Sequence, residues 1–96
     1  MAKEKKMVQG NRRRVTFSIE AASACEVILM GDFNNWNRKK HPMKTDGSGI
    51  WSKSVLLDPG EYEYKFLVDG QWWEDPKNDQ SCINEFGTKN SVLSIK

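Results

Sequence analysis

The side chains best equipped for chemistry in this chain are aromatic planes set beside amines and amides. Trp72 follows Lys65-Phe66-Leu67-Val68-Asp69-Gly70-Gln71, and Trp36 ends the polar run Asn34-Asn35. An indole face can cover the apolar C–H face of a pyranose ring. The hydroxyl rim of that ring then needs the donors and acceptors that Lys, Asn and Thr supply. Two indoles at a suitable separation would carry a polymer across both. Each residue also has a plainer reading. Trp72 could be covered by the N-terminal residues or by a second copy of the chain, and Trp36 could cap the core. Lys65 could serve only an exposed cross-strand ion pair with Glu74, worth under ~1 kcal/mol.

Catalytic constellations are missing from the sequence. His41 is the sole histidine; it lies beside Lys39, Lys40 and Pro42 with no nucleophile signature and reads as a surface residue. The carboxylates are scattered over strand edges and turns, and a paired-carboxylate glycosidase needs a deeper cleft than so short a chain readily builds. One histidine and two distant cysteines make no zinc site. No cofactor is expected. Cys25 and Cys82 are expected to be reduced, the first as a small hydrophobe and the second as a loop thiol.

The elements that must position these groups are strands, because the apolar period from Arg14 onward is two. Val15, Phe17 and Ile19 face one side of a first strand, and Ala21 to Ala24 is a small-residue turn. Val27 and Leu29 are the core positions of a second strand over 26–30. Phe33 to Ser48 is loop with a short turn of helix or strand. Trp51, Val55 and Leu57 belong to a third strand that stops at Asp58-Pro59-Gly60. Tyr62, Tyr64, Phe66 and Val68 alternate in the clearest strand. Asp69-Gly70 then closes a type I′ hairpin, setting Val68 opposite Gln71, Leu67 opposite Trp72 and Phe66 opposite Trp73. Directly opposed residues share a face, so Trp73 is expected inward with Phe66, and Trp72 outward with Leu67 and near Lys65. Residues 75–89 read as a long polar loop. A last strand over 91–95 turns Leu93 and Ile95 inward. The whole predicts an all-β sandwich.

Ninety-six residues suit one domain. The formal charge of +2 hides an asymmetry. Lys3, Lys5, Lys6, Arg12, Arg13 and Arg14 against Glu4 give residues 1–14 a net +5, leaving −3 for the rest. Residues 1–13 are therefore read as a disordered basic arm and 14–96 as the domain. A nucleic-acid contact through the arm is the lesser alternative. No apolar run approaches the ~18 residues of a membrane span, and the N-terminus lacks a signal-like stretch, so the expectation is a cytoplasmic monomer without membrane contact.

Gly31-Asp32-Phe33-Asn34-Asn35-Trp36, then Gly60 to Trp72, Asp75-Pro76 and Gly87-Thr88-Lys89-Asn90, together resemble carbohydrate-binding module family 48 from about Arg14 to Ile95. That family includes the glycogen-binding domain of AMP-activated protein kinase β subunits and the N-terminal domains of isoamylases and branching enzymes. The resemblance implies an immunoglobulin-like, early-set β-sandwich that binds α-1,4-linked glucans such as glycogen, starch and maltooligosaccharides without catalysis. It implies Trp36 and Trp72 as sugar platforms, and Lys65 and Asn90 as hydrogen-bonding partners. Phe86 would project from its loop against the sugar, and Thr88 would add a polar contact. A glycogen-metabolising enzyme or a kinase is the implied protein partner. The alternative is a docking domain that keeps the fold and not the sugar.

Overall fold

In the computed structural model, residues 12–96 are described; residues 1–11 of the expected basic arm lie outside them. Period-two alternation sets the first layer. β1 (Arg13–Glu20) and β4 (Ile50–Leu57) pair antiparallel over their full lengths, from Arg13 opposite Leu57 to Glu20 opposite Ile50. The two-residue β3 (Lys44–Thr45) adds to the far side of β4.

The second layer is five-stranded and centred on β5 (Gly60–Val68). β2 (Val27–Gly31) lies along one side of β5. The other side is shared: β8 (Lys89–Ile95) pairs with Gly60 to Tyr64, and β6 (Gln71–Trp73) with Phe66 to Val68. β7 (Ser81–Ile83) extends the sheet beyond β8. Phe17 and Ile19 from the first layer meet Val27, Leu29, Tyr64, Phe66 and Val68 from the second. This is an all-β, immunoglobulin-like early-set sandwich.

The hairpin register agrees with the sequence, with Phe66 opposite Trp73, Leu67 opposite Trp72 and Val68 opposite Gln71. Asp69 (φ 48°) and Gly70 (φ 82°) both take the left-handed backbone of a type I′ turn. What the register does not settle is coverage. Trp73, expected in the core, is 38% exposed. It shares the inner face with Phe66, but β6 is a three-residue edge strand, and the packed core ends before reaching it.

Two outward positions are corrected in the opposite sense. Leu67 is buried with Ile28 and Met30 in a second cluster, on the outer face of the sheet, under Trp36. Lys65 is only 7% exposed and makes no ion pair with Glu74 among the described residues. The predicted 75–89 loop contains β7, so Cys82 is a strand residue; Cys25 is exposed, and both thiols are free.

A polar knot ties the start of that connection across the sandwich. Buried Tyr64 donates its hydroxyl to Asp75 Oδ2 at 2.6 Å, and Asn78 Nδ2 donates to Tyr64 Oη and to the Val92 carbonyl. The Asp75 N–H reaches Ser91 Oγ, and Lys77 Nζ donates to Ser18 Oγ on β1 of the opposite layer. Burial, followed by the hydrogen bond to Asp75, pushes the Tyr64 phenol well above its ordinary value, so it acts as a fixed donor. Among the described residues, no helix is long and apolar enough to cross a membrane.

Candidate functional site

Trp36 is presented by an unusual turn. β2 ends at Gly31, where an added Cβ would stand 2.8 Å from both the Glu63 carbonyl oxygen and the Phe33 ring, so only glycine lets the chain pass. A short 3₁₀ helix follows (Asp32–Asn34), and then Asn35 and Trp36 both adopt left-handed φ, 56° and 55°. Asparagine tolerates this conformation; for a bulky residue it costs roughly 1–3 kcal/mol and persists only where neighbours hold it.

Here they do. The Trp36 N–H donates to the Gly31 carbonyl at 2.9 Å, and its Nε1–H to Asp32 Oδ1 at 3.0 Å. The other Asp32 oxygen accepts the Glu63 N–H at 2.8 Å, which keys the indole to the β5 backbone. Buried Asn34 braces the same turn. Its Oδ1 accepts from the Gly31 N–H, and its Nδ2 donates to the Leu29 carbonyl and to His41 Nδ1.

His41 is therefore no free surface residue, because its Nδ1 must stay unprotonated to accept from Asn34. Partial burial, then the charges of Lys53 and Lys40, hold its pKa below the ordinary value.

Trp36 meets Trp72 edge to face, with ring centroids 6.1 Å apart and planes inclined at 67°. The two indoles form one bent surface rather than two separated platforms. Trp72 is 51% exposed, and Trp36 has its inner edge on the Ile28, Met30 and Leu67 cluster. Trp36 thus packs on that cluster and also lines the groove.

Beside this surface, Lys65 Nζ donates to Thr88 Oγ1 at 3.2 Å, and Asn90 Nδ2 donates to Glu63 Oε1 at 3.0 Å. Phe86, 82% exposed, projects from the turn between β7 and β8. An open groove of about 670 Å³ is lined by all six expected residues, Trp36, Lys65, Trp72, Phe86, Thr88 and Asn90. No group of histidine, cysteine and carboxylate side chains placed to hold a metal occurs among the described residues.

Residues 14–96 match the family described as the glycogen recognition site of AMP-activated protein kinase. The chain belongs to this family. Among relatives of this glycogen-recognition module, Protein PTST homolog 2, chloroplastic, of Arabidopsis thaliana is 42% identical over 76% of the chain and 13% of its own length. The 5'-AMP-activated protein kinase subunit beta-1 of Sus scrofa is 41% identical over 74% of the chain and 55% of its own length. Protein FLOURY ENDOSPERM 6, chloroplastic, of rice is 33% identical over 85% of the chain and 15% of its own length. The chain thus spans at most about half the length of these relatives.

The module's groove also contains residues that sequence reasoning passed over: Asp32, Glu63, Ile83, Asn84 and Glu85. Asp32 had a usable signal, since an Asp four residues before a Trp across a turn can reach its indole N–H. Glu63 had none, because its partner Asn90 comes from another strand; Asn84 had a local one, an Asn whose side chain can take the N–H two residues on in a turn.

Proposed function

We propose that this chain is a non-catalytic module that binds α-1,4-linked glucans by stacking glucose rings on Trp36 and Trp72. The observation that carries this is the bent indole pair, half open to solvent beside Lys65, Thr88 and Asn90. An indole kept so exposed implies a ligand that covers it. Planes inclined at 67° suit a chain that curves, as α-1,4-glucan does, more than a flat ribbon.

Electrostatics weighs against the nucleic-acid alternative. Asp32, Glu63 and Glu85 line the groove against a single lysine, whereas a polyphosphate backbone calls for the reverse. Two of those carboxylates also have structural duties, Asp32 on Trp36 and Glu63 on Asn90. That supports a binding role over acid–base chemistry.

The likeness to a 5'-AMP-activated protein kinase β subunit supports a protein partner in addition to the glucan. A kinase or a glycogen-metabolising enzyme is the partner class we propose, with the chain monomeric on its own. A cytoplasmic setting is part of the proposal. Two relatives carry the word chloroplastic in their names, so imaging of a tagged full-length protein decides the compartment.

Tryptophan fluorescence titrated with maltoheptaose tests the central claim. The expected result is a saturable change, insensitive to salt, with a dissociation constant of roughly 10 μM to 1 mM. Trp72→Ala should weaken binding by at least ~10-fold while the chain stays folded. An unsaturable or absent response in the parent would overturn the glucan reading and leave the docking domain.

A further inference from the structure

Asn84 opens the turn between β7 and β8 and uses its side chain in four directions. Its Oδ1 accepts the backbone N–H of Phe86 at 2.9 Å and of Thr88 at 3.2 Å. Its Nδ2 donates to Thr88 Oγ1 at 2.8 Å and to Asn90 Oδ1 at 2.9 Å. A primary amide offers two lone pairs and two N–H bonds, so its capacity is filled. Backbone bonds close the same turn, from the Asn84 N–H to the Thr88 carbonyl and from the Gly87 N–H to the Asn84 carbonyl.

The effect reaches the groove residues through their polarity. Thr88 Oγ1 accepts from Asn84 and from Lys65 Nζ together. A hydroxyl oxygen has two lone pairs, so the only capacity left to it is its proton, which it must give outward. Asn90 is locked in the same sense. Its Oδ1 takes a bond from Asn84 and its Nδ2 gives one to Glu63. Flipping that amide would set nitrogen against nitrogen and oxygen against oxygen.

We infer that Asn84 is a positioning residue that fixes Thr88 and Asn90 and sets their side of the groove to donate hydrogen bonds to ligand oxygens. This rests on the glucan reading for the identity of the ligand. The atoms it concerns are the ring and hydroxyl oxygens of glucose, which approach Thr88 O–H and the rest of the Lys65 ammonium as acceptors. Specificity then comes from donors whose direction is set before the sugar arrives.

Asn84→Asp separates positioning from scaffolding. The carboxylate keeps both backbone N–H bonds and hence the turn, but it replaces the amide donor by an oxygen. Thr88 then gives its proton to residue 84 and offers the ligand a lone pair, while Asn90 loses its partner. A neutral glucan gains or loses no net Coulomb attraction from the added charge. Maltoheptaose should bind about 10-fold more weakly, the loss of roughly one hydrogen bond, with the thermal midpoint within about 3 °C of the parent. In ligand-free protein the Asn90 side-chain amide signals should shift in the ¹⁵N–¹H spectrum.

Asn84→Ala, smaller and uncharged, should lose at least as much affinity and move the same signals. Undiminished affinity in both variants overturns the inference. Unmoved Asn90 signals overturn it equally, and they do so whether or not the parent binds sugar. Failure of the parent to bind maltoheptaose, with those signals moved, would instead count against the glucan reading alone.

Discussion

The two faces of the central sheet are both buried, by different means. On the inner face Leu29, Phe66 and Val68 meet Phe17 and Ile19 of the opposite layer, so each side chain has many neighbours that would survive the loss of any other. On the outer face Ile28, Met30 and Leu67 are closed off by Trp36, whose backbone is left-handed and whose indole is held by one aspartate. Stability is therefore distributed on the inside. Outside, it runs through a residue that also forms the candidate binding surface, so covering the sheet and gripping a ligand become one task.

The comparison can be broken first at its strongest point. Phe66→Ala removes a fully buried ring from the inner face and should cost about 3–5 kcal/mol in a urea melt; a cost under ~1 kcal/mol would show that the sheet-on-sheet contact does not dominate. Trp36→Ala should cost less, about 2 kcal/mol, because the ring is only half buried and alanine, which keeps its Cβ, carries the same left-handed backbone. It should also lose most glucan affinity. Normal stability with lost affinity would separate the two tasks that the outer face joins.

Trp73→Ala is expected to cost no more than about 1 kcal/mol and to leave maltoheptaose binding unchanged, since the ring lies beyond the inner core and off the groove. A larger loss by calorimetry would extend the inner face to β6. The smallest effect is that of pH. His41 resists protonation in the folded chain more than in the unfolded one, so its contribution is full above its ordinary pKa of 6.5 and is lost as pH falls through the lower folded value. Between about pH 7.5 and 5.5 the thermal midpoint should drop, and His41→Gln should flatten the drop. An unchanged slope in that variant would show that protonation of His41 does not loosen the Asn34 brace.

What the sequence made legible had local causes. Asp69-Gly70 dictates its own turn, and the turn dictates the register of the hairpin, which is why the pairing of Trp72 with Leu67 follows from the sequence. Alternation also assigned Phe17, Ile19, Leu29 and Phe66 to the core. It identified faces and was silent on what covers them, hence the misplaced exposure of Lys65, Leu67 and Trp73. β7 escaped notice because Ser81-Cys82-Ile83 buries no full apolar face and becomes a strand only through its pairing with β8. The six groove residues came from exposed indoles and a family resemblance. Asp32 and Glu63, 31 positions apart and joined by a hydrogen bond, carry no joint mark in the linear chain.

The knot around Tyr64 divides the connection from β6 to β8 into two kinetic territories. The Asp75 amide proton is bound to Ser91 Oγ under a hydroxyl that is itself tied to Tyr64's strand, and Lys77 pins the same stretch to the opposite layer. In deuterated solvent that proton should exchange only when the sandwich as a whole opens. The amides of Phe86 and Gly87, held within a single surface turn, should exchange through local openings far more often. One strand connection would then carry two clocks, a slow one in the knot on the inner side of the sheet and a faster one in the turn that borders the groove.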